Sequence, residues 1–211
     1  MAPGILGKKI GMTQIFTAAG RVVPVTVLRV GPCVVVQRKT AAQDGYEAVQ
    51  LGYVEFVKPK HVKRPMDGHF KKAGVESARF LREFRLTGSE DAEFKAGDRV
   101  LAEEFQVSEK VDVIANSKGR GFQGNIKRHG QTIGPVTHGS MSKREPGSIG
   151  QSSYPSRVFK GVKLPGQMGN KRVTARNLEI VEVNPDNNTI LVRGAVPGHN
   201  GAYVVVRRTW K

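Results

Sequence analysis

Cysteine is almost missing from this chain of 211 residues: Cys33 stands alone. That excludes an internal disulfide framework and any site built on several thiolates. Long apolar runs are missing too. None approaches the roughly 18 residues that span a bilayer, and residues 1–4 do not open a charged segment leading into an apolar one. The expectation is a cytoplasmic protein with no membrane partner. Aromatic residues are 7% of the chain and apolar residues 38%, low for a chain compact throughout but too high for general disorder. Negative charge is also in short supply relative to positive. Against 18 Asp and Glu stand 34 Lys and Arg, a net charge of +16 and a pI near 10.3. Such a chain repels itself unless a polyanion is nearby, which makes nucleic acid the leading partner.

The imbalance is local. Residues 118–176 hold twelve Lys and Arg and one acid, Glu145, whereas residues 86–117 hold three and eight. Residues 58–85 hold nine and three. The 118–176 stretch therefore cannot neutralise itself by internal ion pairs. It also carries 11 of the 25 glycines and only 14 apolar residues, too few to offset the entropy of ordering 59 backbones. A segment that is mobile alone and ordered against a partner is expected. Phe122, Ile126, Ile133, Tyr154, Phe159 and Leu164 punctuate it, as a plain linker would not require.

Elsewhere the pattern is mostly strand. Residues 21–30 and 33–39 are Val-rich and broken by Gly31-Pro32, which predicts two adjacent strands joined by a tight turn. A further strand is expected over 46–57. Residues 178–183 and 189–193 flank Asn184-Pro185-Asp186-Asn187-Asn188, a hairpin signal, and 203–209 supplies a last strand. Short strands at this spacing suit a small barrel or sandwich. Pro24 predicts an edge or a bulge. Cys33, heading a Val run, reads as a buried core thiol. Residues 58–65 form an extended basic connector containing Lys58, Lys60, Lys63 and Arg64. Asp67 is expected to cap a short helix through about Ser77, whose Lys71 and Lys72 either touch phosphate or form a solvated helical face. In the acidic stretch, strands are expected over 99–105 and 110–115.

Two chemical motifs need weighing. Gly119-Arg120-Gly121-Phe122-Gln123-Gly124 has the spacing of a dinucleotide-binding turn, but Gly134-Pro135 follows too soon for the helix that motif requires. The glycines are better read as letting backbone N–H groups approach phosphates, with Lys118, Arg120, Lys127 and Arg128 supplying charge. His129 and His138 keep open an alternative, an enzyme acting on RNA or a nucleotide, with Glu145 the local acid to orient an imidazole. Neither histidine has partners at metal-ligand spacing. No cofactor, metal or small-molecule substrate is expected.

The remaining signal is a chain of turns: Thr137-His138-Gly139-Ser140, then Arg144-Glu145-Pro146-Gly147-Ser148-Ile149-Gly150-Gln151, then residues 158–172. With residues 116–124 and the opening Leu6-Gly7-Lys8-Lys9-Ile10-Gly11-Met12-Thr13, these runs resemble the bacterial-type family of large-subunit ribosomal protein three, over essentially the whole chain. The resemblance implies a mostly β fold: a six-stranded barrel of the translation-protein type with a small α/β insertion and a long irregular basic extension. On that plan residues 1–57 begin the barrel, 58–117 form the insertion and return strands, 118–176 form an RNA-threading arm, and 177–211 close the barrel. It further implies binding near the 3′ end of the large-subunit ribosomal RNA, an early assembly role, and an arm reaching toward the peptidyl transferase centre. Large-subunit proteins fourteen and nineteen are the implied neighbours. The side chains placed against RNA are Lys8, Lys9, Lys118, Arg120, Phe122, Lys127, Arg128, His129, His138, Lys143, Arg144, Tyr154, Arg157, Lys160, Lys163, Lys171 and Arg172. Gln151 matches a glutamine methylated in some members.

Overall fold

The computed structural model describes residues 3–86 and 94–209. Among these, the strands are β1 (Gly4–Phe16), β2 (Val22–Val30), β3 (Cys33–Lys39), β4 (Ala48–Tyr53), β5 (Leu81–Arg85), β6 (Arg99–Val100), β7 (Lys110–Asn116), β8 (Gly121–Gln123), β9 (Gly166–Met168), β10 (Arg172–Asn184), β11 (Thr189–Arg193) and β12 (Tyr203–Arg208). Short helices are α1 (Ala41–Asp44), α2 (Arg64–Ala73) and α3 (Asn125–His129). The chain is mostly β, divided into two compact units: residues 1–117 with 172–211, and residues 118–171.

In the first unit six strands hydrogen-bond in the order β1-β12-β7-β10-β11-β2, and β2 pairs with β1, so the ladder closes as a barrel. A second sheet, β5-β4-β3-β6, is antiparallel throughout. Ile5 and Leu6 are consecutive and both fully buried. Neighbours in a strand face opposite sides, so β1 is covered on both faces, and one core joins it to Val35, Leu51 and Phe84 of the second sheet and to Val113, Ile180 and Val206 of the barrel. Gly4 makes this contact close: a Cβ there would overlap the Phe84 ring and lie 2.6 Å from the Val206 carbonyl.

The strand boundaries revise the domain plan. Residues 1–57 do not all belong to the barrel, because β3 and β4 lie in the second sheet. β2 already has β1 on one side and β11 on the other, so β3 cannot pair with it, and Gly31, at φ 71°, turns the chain away. β7, at the end of the 58–117 stretch, belongs to the barrel. The arm ends at 171 rather than 176, since Arg172–Ala175 pair with β7 as Arg172↔Asn116 through Ala175↔Val113. Within the acidic stretch the strand expected over 99–105 shrinks to β6, followed by a tight turn at Ala102–Glu104; residues 87–93 lie outside the described ones.

Pro24 is neither at an edge nor at a bulge. Its carbonyl accepts the Gly194 N–H at 2.9 Å. A hydrogen-bonded antiparallel pair would return a second bond from position 24, which proline cannot donate. The Thr26 hydroxyl supplies it, donating to the Gly194 carbonyl at 2.6 Å.

Helix α2 begins at Arg64, before Asp67. Pro65 fixes its first turn, and Gly74 closes it in the left-handed region at φ 67°, so it ends four residues short of Ser77. Asp67 is inside the first turn and pairs with Lys71 at 2.7 Å. Phe70 seats the helix against Val34 and Val36 of β3. Cys33 is a core thiol as expected: it is buried, donates to the Leu6 carbonyl at 3.3 Å, and burial pushes its pKa up to about 12.

A buried carboxylate pins the bulge in β10. Asp112 accepts the Asn177 N–H at 3.1 Å, Arg207 at 3.2 Å and the Thr209 hydroxyl at 3.2 Å, where the register shifts between Ala175 and Leu178. Burial works to raise its pKa, and these donors together outweigh burial and hold it below the ordinary 3.8. A depressed carboxylate contributes stability that is present above its unfolded value and lost as pH falls through the lower folded value. Asp112→Asn should therefore cost about 1–3 kcal/mol near neutral pH and flatten the acid limb of the stability curve below pH 3.8, measured by urea titration at successive pH values. Replacing residues 124–165 with Asn-Gly should join β8 to β9 as a two-residue hairpin and leave the first unit melting cooperatively; a broad, non-cooperative melt would contradict the division.

Candidate nucleic-acid interface

The second unit is rooted on a short ladder. β8 and β9 pair as Gly121↔Met168, Phe122↔Gln167 and Gln123↔Gly166, extended by the Arg120 N–H on the Met168 carbonyl at 2.9 Å. Gly169 crosses this root at φ +72°, and a Cβ there would overlap the Lys118 carbonyl. Helix α3 follows Gly124 and stops at Gly130, whose N–H bonds the Ile126 carbonyl at 2.8 Å. One turn of helix after a three-residue strand is not the βαβ unit of a dinucleotide site.

Beyond this root residues 130–165 contain no helix or strand. The chain doubles back where the Gly134 N–H reaches the Lys143 carbonyl at 2.9 Å, and a Cβ on Gly134 would overlap the Ser142 carbonyl. His138 and Gly139, both at positive φ, form the tip, with the Ser140 N–H on the Thr137 carbonyl at 3.3 Å. A second loop bends around a concavity of about 340 Å³ between Ile149–Ser152 and Ser156–Val158, where Gln151 is exposed. Across residues 118–171 the one buried side chain is Asn125, whose amide atoms have no hydrogen-bond partner. The unit has no apolar core.

Its charges face outward. Lys118, Arg120, Lys127, Lys143, Arg144, Arg157, Lys160, Lys163 and Lys171 are exposed, and among the described residues no ion pair joins any of the first eight to an acid. Exposed rings stand among them: Phe122 at 74% and Tyr154 at 84%. Phe159 carries the Arg157 guanidinium 5.4 Å from its centroid. Flat rings among cations are what unstacked bases and their phosphates require.

Four expected contacts have other work. Arg128 donates to the Leu164 carbonyl at 2.6 Å, and Nε2 of His129 meets the same oxygen at 3.0 Å. Both tie α3 to the returning chain. Among the described residues neither His129 nor His138 has a carboxylate partner, so no general base is assembled. Lys8 pairs with Glu55 and lies 4.9 Å from the Tyr203 ring centroid. Glu55 also accepts the Tyr203 hydroxyl at 2.8 Å. The Lys8 bond is the main cause holding Glu55 below its usual range, while burial and then Glu55 push Tyr203 up to about 12. Lys9 is buried and donates to the Val196 and Gly198 carbonyls at 2.7 and 3.3 Å. The sequence did carry a signal here. Adjacent lysines in a strand face opposite sides, so one had to point inward. Arg172 is exposed but belongs to β10.

Lys9→Met removes a donor and leaves two carbonyls enclosed without it. It should cost about 1–3 kcal/mol in thermal melts while leaving the salt dependence of RNA binding unchanged.

Comparison with known proteins adds relatives along the whole chain. Residues 89–189 match the family model described as ribosomal protein L3. The large ribosomal subunit protein uL3 of Solibacter usitatus is 58% identical over 210 residues, covering 99% of each chain. Its counterparts in Desulforudis audaxviator and Carboxydothermus hydrogenoformans are 53% and 51% identical, each covering all of this chain and 97% and 99% of their own.

Proposed function

Because the chain belongs to the ribosomal protein L3 family, whose members are structural ribosomal proteins and not enzymes, we propose that it binds near the 3′ end of the large-subunit ribosomal RNA and threads residues 118–171 inward, toward the peptidyl transferase centre. As a constituent of the large subunit its place is the cytoplasm. The closed six-stranded ring is then a barrel of the translation-protein type, docking on folded RNA, helping to nucleate subunit assembly and lying beside large-subunit proteins fourteen and nineteen.

One observation carries this reading: nine exposed cations stand on a unit whose sole buried side chain is Asn125. Such a unit gains order from counter-charge, and phosphate is the counter-charge that a narrow, bent backbone can reach. Lys118, Arg120, Lys127, Lys143, Arg144, Arg157, Lys160, Lys163, Lys171 and Arg172 meet phosphate; Phe122, His138 and Tyr154 stack on bases. Arg128 and His129 shape the arm from within. Gln151, exposed at the second loop, is the modifiable glutamine.

If about half of the twelve cations in residues 118–176 meet phosphate, log affinity for a large-subunit RNA fragment should fall with log salt at a slope near −4, at roughly 0.7 per contact. Filter binding across salt concentrations measures it, and a slope near zero would overturn the reading.

A further inference from the structure

Most cations of the first unit that lie close to acids are neutralised within it. Lys8, Arg38, Lys39, Arg193, Arg207 and Arg208 each pair with a Glu or Asp. The turn at Pro59–His61 and the helix α2 that follows bring several cations without such a partner close together in sequence. Lys60, Lys63, Arg64 and Lys72 are all exposed, and among the described residues none has an acidic partner. Lys71 is bound to Asp67 at 2.7 Å, which uses up the one carboxylate of the helix.

Two of these charges, Arg64 and Lys72, share a helix face with Lys71 and a glycine. Arg64, Gly68, Lys71 and Lys72 stand at i, i+4, i+7 and i+8, one face of a helix, turned away from the Phe70 side that packs on β3. Gly68 sits in the interior of a ten-residue helix, where glycine is less favourable than alanine. Nothing in the fold asks for it. Its backbone is in the ordinary helical region, and a Cβ there would meet no atom within 4 Å. A helix-weakening residue kept at the centre of a cationic face, with open space above it, is explained if another backbone comes close there.

We propose that the Gly68 face of α2, with Lys60, Lys63, Arg64 and Lys72, is a second contact for the RNA phosphodiester backbone, separate in sequence from the arm. This rests on the RNA-binding reading above. The glycine admits a ribose-phosphate strand against the helix backbone, Arg64 and Lys72 neutralise its phosphates over about 12 Å of that face, and Lys60 and Lys63 add charge ahead of the first turn.

The test uses the full chain and full-length large-subunit ribosomal RNA. Lys60, Lys63, Arg64 and Lys72, all changed to Ala, should make the salt slope shallower by up to about 3. Gly68→Ala should raise the melting temperature and yet weaken RNA binding several-fold, opposite signs that a purely structural glycine would not give. An unchanged slope in the quadruple variant, or unchanged affinity in Gly68→Ala, overturns the proposal. A parallel variant with Lys118, Arg120, Lys143 and Arg144 changed to Ala separates the two claims. If that variant flattens the slope and the helix variant does not, only the second contact falls; if neither does, the RNA-binding reading falls with it.

Discussion

Like charges placed within about 10 Å of one another at moderate salt repel measurably, and residues 118–176 carry twelve cations and one carboxylate. That repulsion dictates how the rest of the molecule is organised. A segment so charged cannot contribute to a core, so the core has to form without it. The barrel meets this condition because the arm leaves from Asn116 and returns at Arg172, residues already paired across β7 and β10. The excursion opens and closes at one rung of a ladder, and none of the six strands depends on its length.

The two units treat positive charge in opposite ways. In the first, seven ion pairs among the described residues join acids to bases, and even a charged amine can be enclosed: Lys9 finds the carbonyls of Val196 and Gly198, and Asp112 finds three donors around a bulge. Enclosed charges of this kind are tolerable only when hydrogen-bonded. In the second unit cations are left outside. Hydrogen bonds onto backbone carbonyls, from the Gly134 N–H to Lys143 and from the Arg128 guanidinium to Leu164, hold the path instead of apolar packing.

Much of this was legible in the sequence, and the failures have physical causes. Val-rich runs marked β2 and β3, and Asn184-Pro185-Asp186-Asn187-Asn188 marked the β10–β11 hairpin, because strand preference and turn chemistry are local. That β2 and β3 enter different sheets was not legible, since pairing depends on whether β2 has a free edge, a long-range matter settled by β11. Pro24 misled for the same reason: Thr26 lies two residues away in sequence, but its acceptor, Gly194, is remote. Composition located the charged arm well. It could not separate the exposed cations from Arg128, whose acceptor lies at Leu164, or from Lys9, whose acceptors lie beyond residue 195.

The pairing of the first strand with the last has a consequence for synthesis. Gly4 stands opposite Arg207 in the β1–β12 ladder, so the barrel cannot shut before residues 203–208 have been made. During translation β1 and β2 wait with open edges until β10, β11 and β12 emerge, and the cationic arm is made before any of those three. The nascent chain thus presents its cationic portion to the surroundings ahead of a finished scaffold, so charge is exposed before the strands that close the barrel exist.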